Sequence, residues 1–85
     1  MLVQYLRDEK NQKRGVFVAE SDGDNGYMVG WSVCSKRDIF SKVRGNTIAV
    51  GRMLRGTKAS IPSFAVAQFD KFLSRCEAYY VKDVD

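Results

Sequence analysis

Residues 16–34, VFVAESDGDNGYMVGWSVC, decide the fold. Val16-Phe17-Val18-Ala19 is β-branched and aromatic, the composition of a strand. SDGDNG, residues 21–26, supplies two glycines with Asp and Asn residues that tolerate positive φ, a strong turn signal. Tyr27–Cys34 then alternates: Tyr27, Val29, Trp31 and Val33 share one face, and Met28, Gly30, Ser32 and Cys34 the other. Two strands around such a turn make a β-hairpin. Leu2–Leu6, apolar around Gln4, reads as a short strand that can join as a third, with RDEKNQKRG, residues 7–15, as the intervening polar turn.

Beyond the hairpin the pattern becomes helical. Ser35 and Asp38 have capping-box spacing, so a helix is expected from Ser35. At ~100° per residue, Ile39, Val43, Val50, Met53 and Leu54 fall on one apolar arc. Arg37, Arg44 and Arg55 fall opposite, with Arg52 flanking. Gly45 and Gly51 each cost about 1 kcal/mol inside a helix. The stretch is therefore compatible with one continuous helix or with two, divided at Arg44-Gly45-Asn46. Gly56–Ile61 reads as a connector, and Pro62, the single proline, suits the first turn of a last helix running to about Val81. Ala65, Phe69, Phe72, Leu73, Cys76 and Tyr80 form its buried stripe, with Tyr79 at the margin. Strands followed by helices predict an α+β fold: a small antiparallel hairpin or three-stranded sheet, then two or three helices packed on one face.

The chain has 85 residues, 45% of them hydrophobic, which fits one domain spanning 1–85 with one modest core. No apolar run approaches the ~20 residues of a membrane span, and no secretory h-region is visible, so a cytoplasmic protein without membrane attachment is expected. Histidine is absent, and the two cysteines, Cys34 and Cys76, are far apart. Ser-His and Cys-His nucleophile pairs and the usual zinc sets are thereby excluded. Both thiols are expected reduced and inaccessible. No metal, no cofactor and no catalytic residues are expected.

Charge is distributed unevenly. Residues 36–58, KRDIFSKVRGNTIAVGRMLRGTK, carry seven of the fourteen basic residues and one acid, a net +6, whereas residues 1–35 and 59–85 are each −1. Lys36, Arg37, Lys42, Arg44, Arg52, Arg55 and Lys58 are the candidate binding residues for an anionic partner. Arg offers a planar fork that matches phosphate oxygens. A solvated helix face is the plainer explanation, but such faces usually mix signs and only Asp38 balances seven cations. RGNTIAVGR lacks the Lys-Ser ending of a phosphate-cradling loop, so a C-cap at Gly45 and close packing at Gly51 are expected instead. The SDGDNG turn fails the calcium-loop pattern, because the sixth and twelfth positions from Asp22 are Tyr27 and Val33. Trp31 alternates with Val29 and Val33 and is expected in the core rather than stacking on a base.

Gly30-Trp31-Ser32 with Cys34, then Asp38, Phe40, Lys42, Gly45, Ile48-Ala49 and Gly51-Arg52, resembles a recurrent pattern in small, mostly uncharacterised tailed-bacteriophage proteins. Pro62, Phe72-Leu73-Ser74-Arg75 and Tyr79-Tyr80 resemble the C-terminal helix of the same family, while Met53 stands where that pattern has a small residue. The resemblance implies a phage protein acting in the host bacterial cytoplasm and carries no activity with it. The expectation is a non-enzymatic accessory protein that binds the nucleic-acid phosphate backbone through its basic face. The alternative is an inhibitor that docks this face on an acidic surface of a host enzyme or defence protein. A protein partner requires an apolar anchor within the patch, for which Met53 and Tyr79 are candidates.

Overall fold

A computed structural model describes residues 1–34, 39–56 and 61–81. Three strands, β1 (Leu2–Arg7), β2 (Lys13–Ser21) and β3 (Tyr27–Val33), form an antiparallel meander with β2 in the centre. Helix α1 (Lys42–Arg55), a short 3-10 turn (Ser63–Ala65) and helix α2 (Val66–Tyr80) follow. The fold is α+β, with the third strand present and the helical stretch 42–55 unbroken.

Side chains build both turns. Asp8 Oδ1 accepts from the Lys10 and Gln12 amides at 2.9 and 3.0 Å, and Asn11 takes φ 62°. Asp22 Oδ1 accepts from the Asp24 and Gly26 amides at 2.8 and 3.1 Å, with Asn25 at φ 60°. These are Asx contacts, the reason such residues favour turns over ladders. They pair Ala19 with Val29 and Phe17 with Trp31, and the expected alternation along β3 is present. Between β1 and β2 the register slips once: Leu6 pairs with Gly15 but Arg7 with Lys13.

The expected single covered face is corrected. Val16, Phe17, Val18 and Ala19 are all fully buried. A central strand that is apolar on both faces needs two covers. Val16 and Val18 pack with Ala49 and Met53 of α1, whereas Phe17 and Ala19 pack with Phe72 and Cys76 of α2. The helices therefore take opposite faces of the sheet, and the core is split in two. Phe17 sits 5.3 and 5.5 Å from the Phe69 and Phe72 rings, centroid to centroid. The expected α2 stripe is observed: Ala65, Phe72 and Cys76 are buried, and Phe69, Leu73 and Tyr80 half-buried. Tyr80 donates to the Ala19 carbonyl at 3.1 Å, and Tyr27 to Glu77 Oε1 at 3.0 Å. Gln68 closes the end of β1, accepting from the Arg7 amide at 3.3 Å and donating to the Arg7 carbonyl at 2.9 Å. Cys34 and Cys76 are not joined in a disulfide; Cys76 is buried, and Cys34 only half-buried.

Helix α1 begins later than the sequence suggests. Ser35 and Asp38 lie outside the described residues, but Ile39, Phe40 and Ser41 are not helical. Ser41 is the N-cap, extended at φ −109°, its hydroxyl accepting from the Arg44 amide. Phe40 instead packs edge-on to Tyr5, with ring centroids 6.0 Å apart. Gly45 does not end a helix. A Cβ there would lie 2.8 Å from the Phe40 ring, so the glycine makes room for it. The αL cap that ends α1 is Gly56, at φ 64°, whose amide donates to the Arg52 and Met53 carbonyls.

Candidate docking surface on the first helix

One close approach sets the orientation of α1. A Cβ on Gly30 would lie 1.9 Å from the Ala49 carbonyl oxygen and 2.6 Å from the Met53 nitrogen. The helix backbone thus rests directly on β3, and only a stripe of small residues with one flexible one, Gly45, Ala49 and Met53, fits beneath it. This corrects the expected apolar arc. Of Ile39, Val43, Val50, Met53 and Leu54, only Met53 is buried and Val50 half-buried. Val43 is 79% exposed and Leu54 67%. Ile39 precedes the helix and is exposed.

The outward face of α1 therefore carries Val43, Thr47 and Leu54 along one stripe, with Ile48 at its border and Arg44 and Arg55 beside it; all are exposed. Thr47 is turned back, its hydroxyl donating to the Val43 carbonyl at 2.8 Å. Among the described residues, no hydrogen bond or ion pair occupies the Arg44 or Arg55 guanidinium. Arg55 also lies in the last helical turn, where the helix dipole favours a cation. At the N-terminal end of this face a cavity of about 290 Å³ opens between Ser32, Ile39, Phe40, Arg44 and Ile48.

The other candidate cations are placed differently. Arg52 is half-buried: its Nη1 donates to the Trp31 carbonyl at 2.9 Å, and its guanidinium carbon lies 4.4 Å from the Trp31 ring centroid. It sheathes the tryptophan and occupies an acceptor of the edge strand β3. Trp31 is consequently half-buried, packed on the α2-side core beneath that guanidinium. Lys42 turns toward the sheet, its Nζ 5.6 Å from the Tyr5 ring centroid. Lys36, Arg37 and Lys58 lie outside the described residues. Of the two candidate anchors, Met53 is buried and Tyr79 is exposed on α2, away from the patch. The residues that sequence reasoning missed as outward anchors are Val43 and Leu54.

A larger groove, about 620 Å³, runs between the Asp8 turn and Phe64. Its arginines are already engaged. Arg7 Nη1 donates to the Asn11 carbonyl at 2.9 Å, and Arg14 Nε to Asp8 Oδ2 at 3.0 Å. The Gln12 amide, and then the Arg14 and Lys10 contacts, outweigh desolvation and hold the Asp8 carboxyl below its usual value. The other charged residues of its lining, Glu9 and Lys10, are of opposite sign, so the two add no excess charge of one kind. Among the described residues, no helix is long and apolar enough to cross a membrane. No family model matches the chain, and no curated protein or solved structure matches it.

Proposed function

We propose that this chain is a non-enzymatic docking protein that lays the outward face of α1 on a partner protein bearing a shallow apolar groove with an acidic rim. The observation that carries this reading is the exposure of Val43 and Leu54 beside Arg44 and Arg55. An apolar stripe on a helix is the surface that helix-in-groove recognition uses, and flanking cations select an acidic rim. A phosphate backbone would gain nothing from Val43 and Leu54, and Arg52 is committed to Trp31. The geometry thus favours a protein partner over nucleic acid. With the resemblance to phage proteins, that partner is a host enzyme or defence protein in the bacterial cytoplasm.

The test is capture from nuclease-treated host lysate, following one defined captured species across variants. Val43→Asp with Leu54→Asp, and separately Arg44→Glu with Arg55→Glu, should each abolish capture while leaving the fold intact. Nucleic-acid binding would give a different pattern: duplex or single strands bound at low salt, a steep salt slope, and loss only in the charge reversal. Capture that survives the double Asp substitution refutes the docking reading.

A further inference from the structure

On the flank of α1, two cations meet where strict strand alternation would not put them. Counting by twos from the buried Phe17 places Lys13 on the α2 face of β2. The register slip between Leu6 and Arg7 breaks that parity, as a bulge does. Lys13 emerges instead on the α1 side, its Nζ 4.6 Å from the Tyr5 ring centroid. Lys42, the first residue of α1, brings its Nζ to 5.6 Å from the same centroid. Two ammonium groups thus share one aromatic ring, which Phe40 braces edge-on at 82°.

The ring accounts for the attraction of each lysine, since its negative face draws a cation. It does not account for both, because they repel each other. Neighbouring Lys42 is the largest influence holding Lys13 below its ordinary value, followed by desolvation and then by the charges of Lys42 and Arg7. No carboxylate among the described residues pairs with either lysine. Among the described residues the ion pairs are Met1–Glu20 and Arg14–Asp8, and the first turn of α1 holds no acid. Among the described residues, neither lysine has an interaction beyond those named.

We infer that Lys13 and Lys42 form a clamp for a phosphate-monoester dianion, seated on the rim of the Tyr5 ring. A dianion balances two ammonium groups, and its terminal oxygens can accept from both at once. A phosphodiester carries one charge and leaves one of the two ammonium charges unbalanced. The clamp uses neither Val43 nor Leu54 and stands apart from the docking face.

The experiment titrates the intact protein with methyl phosphate, and in parallel with dimethyl phosphate, at fixed ionic strength and slightly alkaline pH. The readout is the NMR shifts of the lysine Nζ groups and the Tyr5 ring. Methyl phosphate should give saturable, coincident shifts at Lys13, Lys42 and Tyr5, and dimethyl phosphate should bind at least about tenfold more weakly. Lys13→Gln and Lys42→Gln should each weaken methyl phosphate by roughly tenfold or more, whereas Tyr5→Phe and Arg55→Gln should not. A phosphoserine tripeptide distinguishes the source. Affinity equal to that of methyl phosphate marks a free small molecule, and tighter binding marks a phosphorylated protein side chain. Shifts that do not saturate, that persist unchanged in Lys13→Gln, or that are matched by dimethyl phosphate overturn the inference.

Discussion

Replacing Gly30 with alanine tests the contact on which the placement of α1 depends. The added Cβ would stand 1.9 Å from the Ala49 carbonyl oxygen, and ordinary contact begins at 3.4 Å, so the helix must retreat by about 1.5 Å. The obstacle is backbone, which cannot rotate aside. Met53 nitrogen and Cβ lie 2.6 and 2.8 Å from the same point and block lateral escape. Retreat loosens Ala49 and Met53 against Val16 and Val18, adding a packing loss to the overlap. Overpacking costs about 1–3 kcal/mol and a loosened buried methionine a comparable amount, so the total should be about 3 kcal/mol or more. With a urea slope of about 1 kcal/mol/M for a domain of this size, the midpoint should fall by about 3 M. Gly51→Ala is the control. Its Cβ meets only the far end of the flexible Arg55 side chain, at 3.3 Å, so alanine should stabilise the helix by about 1 kcal/mol. The two substitutions must move the midpoint in opposite directions. A Gly30→Ala protein that unfolds at the wild-type midpoint would refute the account of how α1 sits on the sheet.

Phe72→Ala, which empties the centre of the α2-side core, should cost about 3–5 kcal/mol by urea unfolding and leave the domain barely folded. Arg52→Ala should uncover Trp31, shifting its fluorescence to the red, and cost about 1–2 kcal/mol through the lost carbonyl bond and ring contact. Burial first, then the bond to Glu77, pushes the Tyr27 phenol up to about 12 from an unfolded value of 10.0. Its contribution to stability is complete below pH 10 and declines as pH rises toward 12, because the unfolded chain releases its proton first. Tyr27→Phe should flatten that segment of the pH–stability curve. Burial raises the Cys76 thiol to about 11, so alkylation of the native protein at neutral pH should modify Cys34 well before Cys76.

The hairpin was legible because period-two alternation and the Asp-Gly-Asp-Asn-Gly turn are both local signals, read without knowing what covers the sheet. The cover was harder to read. Val16 to Ala19 is an apolar run without alternation, the mark of a strand buried on both faces, yet its length alone does not say which helix takes which side. The buried face of α1 was hidden for a different reason. Hydrophobic pattern weighs size, and this face is built from Gly45 and Ala49 because the backbone presses against Gly30. The larger Val43 and Leu54 are left outside. The start of the helix turned on Phe40 packing against Tyr5, a contact 35 residues distant in sequence that no capping box reports. Lys13 could not be placed at all by counting, because one slipped residue reverses the parity of everything beyond it. The charge run itself was readable. That Arg52 belongs to Trp31 and not to solvent depends on how far α1 reaches past the edge of the sheet.

A three-stranded sheet has two outer strands whose free amides and carbonyls invite pairing with strands of other molecules. Here each outer strand has a side chain in the place an intruding backbone would take. At Arg7 the Gln68 amide donates and accepts as a neighbouring residue in a ladder would, and at Trp31 the Arg52 guanidinium occupies the exposed carbonyl. The molecule thus obstructs growth by sheet extension at both rims. Losing either side chain should give a faster onset of thioflavin-positive assembly under mildly denaturing conditions than a core substitution of equal destabilisation.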